Sequence, residues 1–242
     1  MKGLIPAAGK GVRMRPFTKA YPKELLPVGE KAVIEHCIEA MKEAGIYEIV
    51  VVVGWKQHAI LDYLGSGESL GVQLSYVVQE DRKGIAKALE AAKHLLGDEN
   101  FAVILGDNYL EDKSALDELV SFHRENGLEA TVGSFEPEDV TSHGIVEPGE
   151  DSRIEGMVEK PPEKEAPSKI AAAGIYVFEP AIFDAIEEIG RGAEDEYQLT
   201  DAIDRLAKEN GRAAYRQIEG SRLDIGTPER LRKANQEFEQ GD

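Results

Sequence analysis

Two short stretches constrain this chain more than anything else in it. Ile49-Val50-Val51-Val52-Val53 and Phe101-Ala102-Val103-Ile104-Leu105 are apolar at every position. A strand with one face in water alternates apolar and polar residues, so a strand apolar on both sides must be covered on both sides. Neither run is long enough to cross a bilayer. Around them the spacing turns helical, from Ile34 through Ile38 and Met41 to Gly45, from Trp55 to Leu64, and from Gly84 to Leu96. Lys2 to Pro6 opens the chain as a short apolar run that breaks at a glycine turn, and Val72 to Val77 alternates. Strands alternating with helices in this way predict an α/β protein whose mainly parallel sheet carries helices on both faces. Ligands gather at the carboxyl ends of the strands in such sheets, where the turn at Gly9–Gly11 and Asp107 both fall.

The second half is less regular. Strands are predicted near 130–135, 144–147, 153–158 and 170–178, and helices over Ala181 to Glu188 and Leu199 to Glu209. A last helix starts with Thr227 as N-cap and Pro228 at its first position. Lys160-Pro161-Pro162-Glu163-Lys164-Glu165-Ala166-Pro167 reads as a charged loop and not a linker, because Ile170 to Phe178 resumes a core strand. No internal repeat is visible, and the lack of hexapeptide repeats excludes an appended left-handed β-helix. One domain over residues 1–242 is expected.

Charge narrows the partners. The 242 residues carry 46 acidic and 28 basic side chains, a net charge of −18, which argues against nucleic acid or an anionic membrane as a partner. Residues 1–31 differ from the rest, with seven basic groups against two acidic ones. A lone cysteine, Cys37, excludes an internal disulfide and a thiolate metal cluster, and its helical surroundings mark it as a buried structural thiol. The first apolar stretch is too short for a secretory leader, so a reducing cytoplasm is the expected location.

Three pieces could carry chemistry. In Ala7-Ala8-Gly9-Lys10-Gly11-Val12-Arg13-Met14-Arg15, glycines after a first strand let backbone N–H groups approach a phosphate. The turn is neither a Rossmann fingerprint, since Met14 stands where a third glycine is needed, nor a Walker loop. The cations Lys10, Arg13, Arg15, Lys19 and Lys23 nearby make a polyphosphate cradle a reading equal in weight to a solvated basic loop. Asp107 and Asp224 each follow apolar residues and precede a small one, a placement that suits Mg²⁺, which takes one or two carboxylates and keeps phosphates as further ligands. Taken singly, either reads sooner as a turn or cap residue than as a metal ligand. Glu159-Lys160-Pro161 alone reads as a solvated loop.

In their order, these pieces resemble the sugar-1-phosphate nucleotidylyltransferases, the enzymes that make nucleotide sugars such as dTDP-glucose and UDP-glucose. The matching segments include Pro6 to Met14, Pro22-Lys23-Glu24-Leu25-Leu26-Pro27-Val28, Leu105-Gly106-Asp107-Asn108, Gly144-Ile145-Val146-Glu147, Glu159-Lys160-Pro161, Gly174 to Phe178, Tyr197-Gln198-Leu199-Thr200-Asp201 and Leu223-Asp224-Ile225-Gly226-Thr227. The resemblance implies a three-layer α/β/α, Rossmann-like fold. It also implies an ordered reaction in which a nucleoside triphosphate binds first and a sugar 1-phosphate then displaces pyrophosphate from its α-phosphorus. On that resemblance Arg13 and Lys23 are the catalytic cations. Ala7, Ala8, Gly9, Gly11, Gln79 and Gly84 bind the nucleotide, and Gly144, Glu159, Lys160 and Gly174 bind the sugar phosphate. Asp107 and Asp224 hold Mg²⁺ as the cofactor. The partners are small molecules, with assembly into homo-oligomers left open.

Two departures bear on specificity. Thymidylyltransferases usually show a second glycine where Ala8 stands and leucine where Pro6 stands, and tryptophan is common at the position of Arg222. Pro22-Lys23-Glu24 and Gln198 to Ile203 look more like the bacterial uridylyltransferases, whereas Gly84 to Ala88 and Asp224 to Thr227 look more like the thymidylyltransferases. Uracil and thymine differ by a methyl group, which a pocket separates by about 1–3 kcal/mol, so dTTP is expected as substrate with UTP used as well. A non-catalytic nucleotide-sugar sensor on the same fold is the alternative of another class. A cytidylyltransferase is disfavoured by Glu159-Lys160-Pro161 and the late Asp224 motif.

Overall fold

The computed structural model describes every residue except Arg82, Ser221 and Asp242. The first half supplies β1 (Lys2–Ala7), a hairpin of β2 (Pro27–Val28) and β3 (Lys31–Ala32), α1 (Val33–Glu43), β4 (Glu48–Val53), α2 (Gln57–Leu64), β5 (Gln73–Val78), α3 (Ile85–Leu96) and β6 (Phe101–Ile104). The second half supplies β7 (Asn108–Leu110), α4 (Ala115–Glu125), β8 (Ala130–Phe135), β9 (Gly144–Pro148), β10 (Ile154–Glu159) and β11 (Ala171–Phe178). It closes with α5 (Ala181–Glu188), α6 (Leu199–Asn210), β12 (Ala213–Gln217), β13 (Arg222–Asp224) and α7 (Pro228–Gly241).

Residue parity in the strands explains the layers. Leu4, Val50, Val52, Phe101 and Val103 pack on one face with Leu89 of α3, Ile182, Phe183 and Ile186 of α5, and Ile203 and Leu206 of α6. Their strand neighbours Ile5, Val51, Val53, Ala102 and Ile104 pack on the other face with Ile34, Ile38 and Met41 of α1, Ile60 of α2, and Leu116 and Leu119 of α4. The doubly apolar strands are therefore the middle layer of an α/β/α sandwich.

The sheet is mixed. Its order is β10-β9-β11-β6-β1-β4-β5, with β8 also on β11 and β12 on β8. Pairings within β6-β1-β4-β5 are parallel. Strand β11 runs antiparallel to β6 and to β8, and β10 antiparallel to β9. The loss of regular strand–helix spacing in the second half is the sequence trace of this change of direction, because antiparallel neighbours need no crossover helix.

Strand β1 pairs with β4 on one side and β6 on the other, so the chain reverses its direction of travel between β1 and β6. That reversal opens a crevice at the carboxyl ends of the two strands. The segment leaving β1 runs through short turns over Val12–Met14, Phe17–Lys19 and Lys23–Leu25. A third cluster pins it down, with Met14, Leu26, Val28, Tyr109, Ile225 and Ala234 buried together. Helix α7 begins where its cap was expected, the Arg230 N–H donating to Thr227 Oγ1 at 3.3 Å. No described helix is long and apolar enough to cross a membrane.

Candidate active site

One cavity of about 560 Å³ lies at the switch point. Thirteen of the fourteen residues singled out from the sequence line it; Ala7 does not. Ala7 is the last residue of β1 and its side chain packs in the core below α1, so the nucleotide-binding expectation for this residue does not extend to its side chain. The five-cation cradle also shrinks. Lys10, Arg15 and Lys19 are exposed and lie off the cavity wall, and Arg13 and Lys23 are the two that face it.

The turn after β1 is held from both sides. Trp55 N donates to Ala8 O at 3.2 Å, and Gly106 N donates to Pro6 O at 3.0 Å. Gly11 takes a left-handed conformation (φ 56°) and its carbonyl accepts the Thr18 hydroxyl at 2.7 Å. Thr18 is itself buried, so the loop is a fixed part of the wall. The Arg13 guanidinium reaches across to Gly226, where an added methyl would stand 3.3 Å from Nη2.

Both predicted metal carboxylates have internal counter-ions. Lys23 Nζ pairs with Asp107 Oδ2, and Arg230 Nη1 with Asp224 Oδ2. The aspartates come from neighbouring segments, joined by Ile225 N donating to Asp107 O at 2.8 Å and by the antiparallel pair of β13 with β7. Burial works against the charge on Lys23, but the carboxylates of Asp107, Glu24 and Asp224 more than offset it and its pKa rises. Burial likewise works against Asp107, and Lys23 with help from Arg222 overcomes it, so its pKa falls. Both members stay charged. Among the described residues no group of three or more metal-ligating side chains occurs, so a cation here would take two carboxylates and draw its other ligands from phosphates and water. That donor set fits Mg²⁺.

Glu159, at the end of β10, pairs in register with Gly144 on β9 and accepts the Thr200 hydroxyl at 2.5 Å. Burial raises its pKa. Lys160 pairs with Glu194 at 2.8 Å, and its N–H donates to His143 O at 2.9 Å. Gly174 interrupts the β11–β8 register and packs on Asn108, whose amide donates to Ala173 O at 2.8 Å and accepts from Arg222 at 3.0 Å. Arg222, at the position where the family resemblance led to an expectation of tryptophan, lies over the Phe135 ring at 4.9 Å.

Glu24 adds a titrating group to the wall. It is 1% exposed, and its Oε2 has no hydrogen-bond partner. Burial, aided by the charge of Asp107, raises its pKa to about 7 from 4.5 against the pull of Lys23. The folded protein therefore keeps a proton that the unfolded chain releases, so stability from this group is full below about 4.5 and is lost as pH rises through 7. The difference is worth about 3 kcal/mol. Glu24→Gln removes the titration, and urea unfolding should show the variant gaining about 3 kcal/mol on the wild type between about pH 4 and pH 8. A pH-independent difference would refute the raised pKa of Glu24.

Arg222, Arg230, Asn108 and Glu194 also line the site or its supports, and no motif singled them out as site residues. The one available signal was at Arg222, the departure from tryptophan.

Fold and cavity together define an α/β/α protein with a polar ligand site at the carboxyl ends of its parallel strands. The chain belongs to the nucleotidyl transferase family, whose profile matches residues 2–241. It is 38% identical over 237 residues to the low-salt glycan biosynthesis nucleotidyltransferase Agl11 of Haloferax volcanii, covering 98% of this chain and 65% of that protein. This chain therefore spans just under two thirds of the length of that relative. It is 37% identical to UTP–glucose-1-phosphate uridylyltransferase 2 of Staphylococcus saprophyticus, over 93% of this chain and 87% of that one. Among solved structures, a UDP-glucose pyrophosphorylase complexed with UDP-glucose superposes with a TM-score of 0.92 at 32% identity, covering 100% of this chain and 99% of that one. A Bacillus anthracis protein assigned as a glucose-1-phosphate thymidylyltransferase, in complex with sucrose, gives 0.88 at 33% identity over 98% and 94%.

Proposed function

We propose that this chain transfers a nucleotidyl group from a pyrimidine nucleoside triphosphate to glucose 1-phosphate and releases pyrophosphate. UTP is the first candidate and dTTP the second. The observation that carries the reading is the convergence of the glycine turn, Arg13, Lys23, both aspartates and Glu159-Lys160 on one cavity. The uridylyltransferase relatives and the UDP-glucose-bound neighbour favour UTP; the thymidylyltransferase-like neighbour keeps dTTP in view.

In this reading a phosphate oxygen of the sugar phosphate forms a bond to the α-phosphorus, and the bond from that phosphorus to the β-bridging oxygen breaks, the electron pair leaving with pyrophosphate. Covalent help from protein is small in such a transfer, so positioning and charge do the catalysis. Backbone N–H groups of the Gly9–Gly11 turn meet the phosphates. Gln79 and Gly84 face the base, Glu159 holds sugar hydroxyls, and Lys160 the sugar phosphate. Lys23 grips the α-phosphate, and Arg13 meets the charge that builds on the leaving group. Asp107 and Asp224 would hold Mg²⁺, which supplies positive charge to the triphosphate when bound.

A grid of UTP, dTTP, CTP, ATP and GTP against glucose, galactose, mannose and N-acetylglucosamine 1-phosphates tests this, with pyrophosphate release as readout. The expected signal is release with glucose 1-phosphate and UTP, and a weaker one with dTTP. Nucleotide binding with no release from any pair would turn the reading to a nucleotide-sugar sensor.

A further inference from the structure

We infer that Arg230 is a polyphosphate-binding residue that guards Asp224 until a divalent cation takes that carboxylate. The inference rests on the transferase reading above and adds to it a group outside its motifs. Arg230 lines the same cavity as Gly9, Arg13 and Lys23. Its head is paired with Asp224, while its side chain keeps 33% of its surface exposed, so the head has room to leave.

The base of the side chain is fixed. The N–H of Arg230 caps on Thr227, and Leu231 N donates to Thr227 O at 3.0 Å. Ala234, about one turn further on, is fully buried. Asn235 accepts from Gly29 N at 3.0 Å and donates to Pro27 O at 3.1 Å, tying α7 to the β2–β3 hairpin. A fixed backbone under a long, rotatable stem lets the guanidinium change partners without movement of the helix.

Charge decides when it would do so. Asp224 already has Arg230 on one oxygen, and the Arg13 guanidinium lies near the adjoining Gly226. A dication on this carboxylate and a guanidinium on the same oxygen repel strongly at such range. The anion that arrives with the dication is the triphosphate, in the same cavity. A guanidinium is planar, stays charged and meets phosphate oxygens with two parallel N–H groups. Arg230 would thus pass from carboxylate to polyphosphate, and would hold pyrophosphate as its charge rises on departure. Lys23 on Asp107 repeats the arrangement one segment away.

Titration calorimetry on the whole chain tests this without turnover. Arg230→Gln should bind pyrophosphate in saturating Mg²⁺ about tenfold or more weakly than wild type, and should bind Mn²⁺ alone more tightly because its internal competitor is gone. Arg230→Lys, which keeps the charge but loses the fork, should fall between the two on pyrophosphate and should melt like the wild type. Unchanged pyrophosphate affinity in Arg230→Gln, weaker or unchanged Mn²⁺ binding, or no pyrophosphate binding by wild type overturns the inference. If Arg230→Gln does not fold, Arg230→Lys decides alone, weaker pyrophosphate binding supporting the assignment and unchanged binding ending it. Failure of the transferase reading is distinguishable, because the substrate grid would then be silent while pyrophosphate binding still depended on Arg230.

Discussion

Asp107→Asn should lower kcat for pyrophosphate release at least about a hundredfold, and Asp224→Asn should do the same, with both proteins still folded. Asparagine keeps the shape of the carboxylate and can still accept a hydrogen bond, so the β7–β13 frame, built from backbone bonds, survives. The charge is what goes. Lys23 is held in its charged form by Asp107 foremost among its neighbouring carboxylates, and without it a largely enclosed ammonium loses its partner. The stability cost is that of one charge-assisted hydrogen bond, about 2 kcal/mol, or about 4–8 °C in a chain of this size. The catalytic cost is larger because the carboxylates set the field in which triphosphate charge is received, and that field acts more strongly on the transition state than on the bound substrates. Loss should therefore fall on kcat more than on KM. Stopped assays at saturating substrates, paired with thermal melts, separate the two effects. Full activity in either variant sinks the assignment of these aspartates as metal ligands.

What was legible in the sequence follows from the range of the interactions involved. The doubly apolar runs report burial on both faces directly, and the two faces of the central strands are packed as that pattern requires. The family resemblance grouped Gly9, Asp107, Glu159 and Asp224, and in the fold all four line one cavity, each at a strand end or in the turn beyond it. Helix α4, absent from the sequence expectations, also leaves a trace there: Leu116, Leu119, Val120 and His123 recur at helical spacing and are all buried. Strand β12 was harder, since it exists by pairing with β8 about eighty residues earlier. The supports of the site were beyond local reading. Asn108 bonds a carbonyl 65 residues away and a guanidinium 114 residues away, and Arg230, though only six residues past its partner Asp224, takes its meaning from the cavity that both line. Charge counting overstated the loop after β1 for a related reason: composition gives five cations, and the fold turns three of them to solvent.

Gly84→Ala should destabilise the protein by about 3 kcal/mol and raise KM for the nucleotide at least about tenfold. Gly84 precedes α3 with φ at 105°, which a side chain rarely adopts, and an added methyl would overlap the Tyr197 carbonyl oxygen and stand 2.9 Å from Tyr197 N. That contact is a clasp. Tyr197 N donates to Lys83 O at 2.8 Å, Ala86 N donates to Tyr197 O at 3.3 Å, and the Gly84 carbonyl accepts from Gln79 Nε2 at 3.2 Å. The clasp joins the wall expected to meet the base, Gln79 and Gly84, to the segment that leads into Leu199 and Thr200 on the sugar side. Prying it open should therefore disturb both ligands while the core, which lies below the strand ends, stays packed. Two controls separate strain from collision. Gly127→Ala changes a residue at φ 56° with nothing within 4 Å, so it should carry only the left-handed penalty, about 1–2 kcal/mol. Gly190→Ala, with no positive φ and nothing within 4 Å, should lie within about 0.5 kcal/mol of wild type. A melt of Gly84→Ala close to that of Gly127→Ala would remove the collision, and an unchanged nucleotide KM in a folded variant would take Gly84 out of the base wall.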